Sequence, residues 1–295
     1  MEIKKMLFVT EFEELWFDAL QSLMDLRKAG LNHVVFLHVI ERDKVAMRRG
    51  TGYLKSEEVK LKEIANVRFI EWAESLFEKG MECGAYIVVG NLLPRILEVS
   101  KEEGVDLIVT GRHKMPKLKS LYADSSTIEL LRKTVIPVLV HKYIISSGKI
   151  NDKPFKRPLL ATDWSSPCER AVDLLIALQG VVEKAAVVHV LSEKDIKGLS
   201  KMDIQRLHRE NRKKLDELCD TLEGEGIDAS SHLHIGDTFE QIERTAMEHD
   251  ASMIIAGTSG KGTWKSRWLG SVSQRLAESS ELPTLLVPSK DKDHK

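Results

Sequence analysis

The chain has little cysteine: Cys83, Cys168 and Cys219 are the three among 295 residues, and no Cys-x-x-Cys pair occurs. Three thiols cannot all pair with one another, which argues against a disulfide-built scaffold and makes a reduced cytoplasm the expected setting. Net charge is equally scarce. The 44 Lys and Arg against 45 Asp and Glu leave −1, too little for a bulk electrostatic grip on nucleic acid or an anionic membrane. No apolar run reaches the roughly 18 residues of a membrane span. Met1-Glu-Ile-Lys-Lys-Met6 leads straight into a strand-like run rather than a signal pattern. Neither nucleic acid nor membrane is an expected partner.

Several catalytic motifs are also missing. Gly257 to Thr263 falls short of a P-loop because Gly262 has no lysine after it, and no Gly-x-Gly-x-x-Gly follows a first strand. His234-Ile-Gly236 resembles the start of the HIGH signature of adenylate-forming synthetases, but Asp237 takes the fourth place and no KMSKS-like partner exists. His232 and His234 alternate along a strand pattern without a cysteine or a third histidine nearby, so satisfied or solvent-facing imidazoles are expected rather than a metal site.

What is present is alternation. Met6 to Thr10 reads as a short apolar strand, followed by a helix pattern through Trp16, Ala19, Leu20 and Leu23 that Gly30 closes. His33 to Ile40 is a near-continuous apolar run, as expected of a strand buried on both faces. A charged stretch from Glu41 to about Glu78, opening at Arg48-Arg-Gly-Thr-Gly52, reads as loop then helix. Strands at Ala85–Val89, Asp106–Thr110 and Pro137–Val140 then alternate with helices at Leu93–Glu102 and Ser126–Lys133. This order predicts an α/β fold with a parallel, doubly wound sheet.

The second half repeats the first. Pro158 to Thr162 ends at Asp163 where the first half has Glu11, and Ala186 to Val190 echoes Val35 to Val39 down to a His-Val pair. Gly236, Gly257 and Pro283 fall opposite Gly90, Gly111 and Pro137 at one common offset, so the chain is two copies of one domain. Ser166-Pro167-Cys168-Glu169 reads as a capping box with proline at the first helical position. The expected division is a first domain over 1–143, a linker over 144–156 carrying Ser146-Ser-Gly148 and Asn151-Asp-Lys-Pro154, and a second domain over 157–290.

The informative stretch is Gly257 to Ser273. Gly257 and Gly260 are followed, after nine residues, by Gly270-Ser271-Val272-Ser273, which should open a helix. Glycines admit close backbone approach, and a helix start presents free N–H groups and the positive end of the dipole to an anion. The hydroxyls of Ser271 and Ser273 add donors, and the chemistry this suits is phosphate capture. An ordinary strand-to-helix loop carries the same spacing.

With Asp163, His189-Val190 and the final strand Pro283-Thr-Leu-Leu-Val-Pro288, the pattern Gly-x2-Gly-x9-Gly-Ser resembles the universal stress protein family in tandem two-domain form. The resemblance implies two Rossmann-like domains, related to adenine nucleotide alpha hydrolases, each a five-stranded mainly parallel sheet flanked by helices. It implies ATP or AMP as ligand, with Mg²⁺ or Mn²⁺ able to accompany ATP. Ala161, Thr162 and Asp163 and the backbone of Val190 would surround adenine and ribose. Gly257 and Gly260 would lie against ribose and the first phosphate, and Gly270, Ser271, Val272 and Ser273 would cap the phosphates. It also implies pairing of domains through their last strands, here within one chain, leaves a homo-oligomer open, and suggests a regulator in stress tolerance rather than a fast enzyme.

The first repeat departs from that pattern. Its loop reads Gly111-Arg-His-Lys114 and then Asp124-Ser125, so lysine and aspartate replace two glycines, and Glu11 stands where the second repeat has Asp163. A carboxylate at a phosphate cradle repels the ligand, so binding is expected in the second domain. A slow ATP hydrolase or phosphotransferase, and a nucleotide-independent assembly module, are the alternatives. Trp264 and Trp268, like Leu118 and Tyr122 at the matching positions, are expected to pack under the loop.

Overall fold

A computed structural model describes residues 2–12, 16–45, 52, 54–111, 125–144, 149–259 and 269–289. The first half comprises β1 (Lys5–Val9), α1 (Trp16–Ser22), β2 (His33–Ile40), α2 (Lys55–Phe77), β3 (Glu82–Val89), α3 (Leu92–Glu102), β4 (Leu107–Gly111), α4 (Ser125–Lys133) and β5 (Val138–His141). The second comprises β6 (Pro158–Ala161), α5 (Ser166–Ala177), β7 (Lys184–Leu191), the single turn α6 (Glu193–Ile196), α7 (Lys201–Gly224), β8 (Asp228–Ile235), α8 (Thr238–Glu248), β9 (Met253–Gly257), α9 (Ser271–Ser279) and β10 (Thr284–Val287). Short 3-10 turns over Met24–Ala29 and Arg42–Val45 flank β2. Arg48 to Thr51, Lys114, Leu118, Tyr122, Asp124, Ser146 to Gly148, Gly260, Trp264 and Trp268 lie outside the described residues.

Among the described residues the strands form one ten-stranded sheet in the order β3-β2-β1-β4-β5-β10-β9-β6-β7-β8. Each half has the same doubly wound order, with the first strand of the half between its second and fourth. All neighbours are parallel except β5 and β10, which pair antiparallel with Leu139 opposite Leu285. The expected pairing through last strands is therefore made inside one chain.

The strands read as continuous apolar runs because both faces of the sheet are covered. Successive side chains point to opposite faces, so Phe8 joins one core with Phe36, Leu160 and Ile255 while Leu7 and Val9 join the other with Leu159 and Ile254. Both cores run through the two halves. At the β5·β10 junction Leu139 and Leu285 fall in the first core, and Val138, Val140 and Leu286 in the second.

The capping box expected at Ser166 to Glu169 is not formed. Ser165 is the N-cap of α5, without a side-chain capping bond, and Pro167 sits in the first turn. The reason is local: the Ser165 amide and hydroxyl both donate to Asp163 Oδ1, the amide at 3.0 Å. The chain leaving β6 folds back on that carboxylate before the helix starts.

Candidate functional site

In a doubly wound sheet a crevice opens beyond the carboxyl ends of the strands where the strand order reverses. In the second half that point lies between β6 and β9, which run parallel with Ala161 beside Ala256. A cavity of about 420 Å³ opens there, within the usual range of small-molecule sites. The end of β6 (Ala161, Thr162, Asp163), the end of β7 (Val190), the end of β9 (Gly257) and the start of α9 (Gly270, Ser271, Val272, Ser273) all line it. Residues more than 100 positions apart in sequence thus meet at one opening.

The wall at β6 is organised by Asp163. Besides Ser165, its Oδ1 accepts from the buried Cys168 thiol at 3.1 Å. Burial, and after it the adjacent Asp163 carboxylate, pushes the Cys168 thiol up from its ordinary value. The thiol stays protonated and serves as a donor, not a nucleophile. The Ser165 hydroxyl also lies 3.2 Å from the Ser259 carbonyl, joining the loops after β6 and β9.

The two described glycines of the motif have different reasons to be glycine. A Cβ on Gly257 would lie 2.8 Å from Pro167 Cβ and 3.1 Å from the Cys168 amide. Here glycine lets α5 close onto the end of β9. Gly270 has an ordinary extended backbone (φ −62°, ψ 147°) as the N-cap of α9. Among the described residues a Cβ there would meet Ser273 Oγ and the Thr258 carbonyl, each at 3.5 Å, and the Ser259 Cα at 3.8 Å. Among the described residues no contact forbids a side chain at 270.

The helix start is held from behind. The Gly270 amide donates to the Thr258 carbonyl at 2.8 Å, and the buried Ser273 hydroxyl donates to the Gly257 carbonyl at 2.7 Å. Those donors bind the loop to β9. The amides of Ser271, Val272 and Ser273 are first-turn groups with no intrahelical acceptor, and they belong to residues that line the cavity. Among the described residues the cavity wall carries two carboxylates, Asp163 and Asp195, and no Lys or Arg. Asp195 is engaged in a capping box with Ser192 at the start of α6. No group of three or more His, Cys, Asp or Glu side chains among the described residues could hold a metal ion.

Against the Thr162 end of the β6 wall packs His189 with two residues that motif reading missed, Trp164 and Asn211. His189 Nδ1 lies 2.7 Å from the Thr162 carbonyl, which places the proton on Nδ1. Trp164, at the uncommon φ of 63°, packs against the His189 ring at 5.2 Å. Its indole N–H donates to Asn211 Oδ1 at 2.8 Å, and Asn211 Nδ2 donates to the Leu207 carbonyl at 2.9 Å. Leu207 and Asn211 bring α7 over the opening. A signal did exist: Asn211 continues the buried stripe Leu215, Cys219 and Leu222 at helical spacing, and Trp164 follows Asp163 as Phe12 follows Glu11.

The first half keeps the scaffold but fills the matching place differently. His38 Nδ1 meets the Thr10 carbonyl at 2.9 Å, and Phe12 repeats the positive φ at 58°. Phe12 packs on His38 at 4.6 Å, as Trp164 does on His189, and also on Phe69 and Trp72 at 4.8 and 5.4 Å. Arg68 donates to the Phe12 carbonyl at 2.7 Å. Glu11 lies at the matching strand end, and Lys114 and Asp124 are outside the described residues.

Comparison with known proteins places both halves together. Residues 2–142 and 154–288 each match the model of the universal stress protein family. The universal stress protein MJ0577 of Methanocaldococcus jannaschii is 31% identical over 153 residues, covering 47% of this chain and 94% of its own. YxiE of Bacillus subtilis, also a universal stress protein, is 28% identical over 143 residues, covering 46% of this chain and 97% of its own. A universal stress protein from Archaeoglobus fulgidus superposes along 98% of this chain and 99% of its own, with a TM-score of 0.72 and 22% identity. That match establishes the tandem fold.

Proposed function

The chain belongs to the universal stress protein family, and from that premise we propose that it is a regulator that binds one adenine nucleotide, ATP or AMP, in its second domain. The observation that carries the reading is the start of α9. Three first-turn amides at the positive end of a helix, beside a glycine where no described contact forbids a side chain, form a phosphate cradle. On this reading the amides of Ser271, Val272 and Ser273 bind phosphate oxygens, and the absent side chain at Gly270 admits them. Gly257 sets the close packing of α5 behind the site.

The nucleoside end falls at the wall formed by Ala161, Thr162, Asp163 and the Val190 backbone. Asp163, the cavity carboxylate outside the Ser192–Asp195 box, serves ribose, and it is the group nearest to hand for a Mg²⁺ or Mn²⁺ ion entering with ATP. Trp164, His189 and Asn211 hold the wall rigid. The aromatic packing around Phe12 and the Lys114 and Asp124 replacements support binding in one domain only.

The test is a calorimetric titration of nucleotide-free protein with ATP and with AMP, with and without Mg²⁺. Saturable binding of either supports the reading and identifies the ligand. Flat titrations of both would sink it and favour a nucleotide-independent assembly module.

A further inference from the structure

Lys142 directly follows β5 and is fully buried, at 0% exposure. Its Nζ donates to the Ser280 carbonyl at 2.7 Å and approaches the Leu276 carbonyl at 3.5 Å. Both carbonyls belong to the C-terminal end of α9. A side chain of the first half therefore caps a helix of the second half, and the other end of that helix lines the cavity.

The corresponding position in the second repeat is Pro288, which offers no cation. The end of α4 is approached instead by Arg170 of α5, whose Nη1 donates to the Val135 carbonyl at 2.8 Å and the Pro288 carbonyl at 2.7 Å. Arg170 is half-buried where Lys142 is wholly so. The two halves thus exchange cations, but the deeply buried one serves the helix that starts at Gly270. A buried ammonium is costly unless something compensates it.

We infer that Lys142 is a positioning residue for the phosphate cradle, a cation supplied by the first domain to offset the negative end of α9 and strengthen its anion-attracting end at Ser271 to Ser273. The inference rests on the nucleotide reading above. It gives the first domain a part in binding that its own altered loop does not supply.

The magnitude follows from the helix length. The nine residues of α9 span about 13 Å. A unit charge roughly 15 Å from a phosphate, at an effective dielectric of about 20, changes affinity by about fivefold. Burial lowers the Lys142 ammonium to about 7 against the opposing pull of Glu243 on α8 and Glu281 beyond α9. Its charge is therefore nearly full at about pH 6 and fades as pH rises through about 7.

The experiment compares ATP with adenosine, which lacks phosphate, in calorimetric titrations of the full chain at about pH 6, below the Lys142 transition. Lys142→Met should weaken ATP about fivefold and leave adenosine unchanged. Lys142→Gln, which keeps a donor for the Ser280 carbonyl without the charge, replaces Lys142→Met if that variant fails to fold. In the wild-type chain the preference for ATP over adenosine should decline relative to the variant as pH rises through about 7. Equal losses for both ligands, or no loss for either, overturn the role of Lys142. A wild-type chain that binds neither ligand overturns the nucleotide reading itself.

Discussion

Gly270→Asp separates the two reasons for which this glycine could have been kept. The backbone at 270 is extended, at φ −62° and ψ 147°, and a new Cβ would find its nearest neighbours at 3.5 Å. The fold should therefore accept the substitution. Aspartate is also a better N-cap than glycine, so helix stability should hold or rise by a few tenths of a kcal/mol. Binding should respond in the opposite direction. A carboxylate at the N-cap takes up first-turn amides as acceptor and faces the phosphate as a like charge. At about 4 Å and an effective dielectric of about 20 the repulsion is about 4 kcal/mol, or roughly a thousandfold in Kd. Titration calorimetry reads the affinity, and a thermal melt on the same sample reads the fold. An unchanged melt with unchanged Kd would refute the placement of the cradle. Gly257→Ala should behave in the reverse way: its Cβ would enter a space 2.8 Å from Pro167 Cβ, so stability should fall by about 1–3 kcal/mol.

Other outcomes follow from single contacts. Ser273→Ala removes the hydroxyl bond to the buried Gly257 carbonyl and should cost about 1–3 kcal/mol in chemical denaturation. Trp164→Phe keeps the ring but orphans Asn211 Oδ1, and should cost a similar amount, about 1–3 kcal/mol, while weakening adenosine and ATP alike. Burial holds the His141 imidazole down at about 4 against an ordinary 6.5. The unfolded chain therefore takes up a proton that the folded chain refuses, and the stability present above about pH 6.5 is lost on acidification toward 4, by up to about 3 kcal/mol. His141→Gln should flatten that part of the stability profile.

The fold was legible because its signal is redundant. Strands buried on both faces give apolar runs such as His33 to Ile40, and a repeat at constant offset tests each run against its copy. The doubly wound order then brings Asp163 and Gly257 together without further information, since it makes β6 and β9 neighbours. Contacts that depend on side-chain reach left less trace. Cys168 meets Asp163 because the chain turns back on that carboxylate at Ser165, and the same turn displaced the capping box expected at Ser166. Asn211 reaches Trp164 across 47 residues from α7, whose sequence is rich in charge. Lys142 reads as an ordinary charge after a strand, and its burial arises only when the two halves join at β5 and β10. Glycine identity alone also failed to separate a close-packed position at 257 from one at 270 whose described contacts would admit a Cβ.

The most direct measurement is a count of sites. Equilibrium dialysis of the nucleotide-free chain against labelled ATP, repeated with AMP, should give a single saturable site per chain that vanishes in Gly270→Asp. Two equivalent sites would show that the first domain binds as well, and no saturable site with either nucleotide would contradict a phosphate cradle at the start of α9.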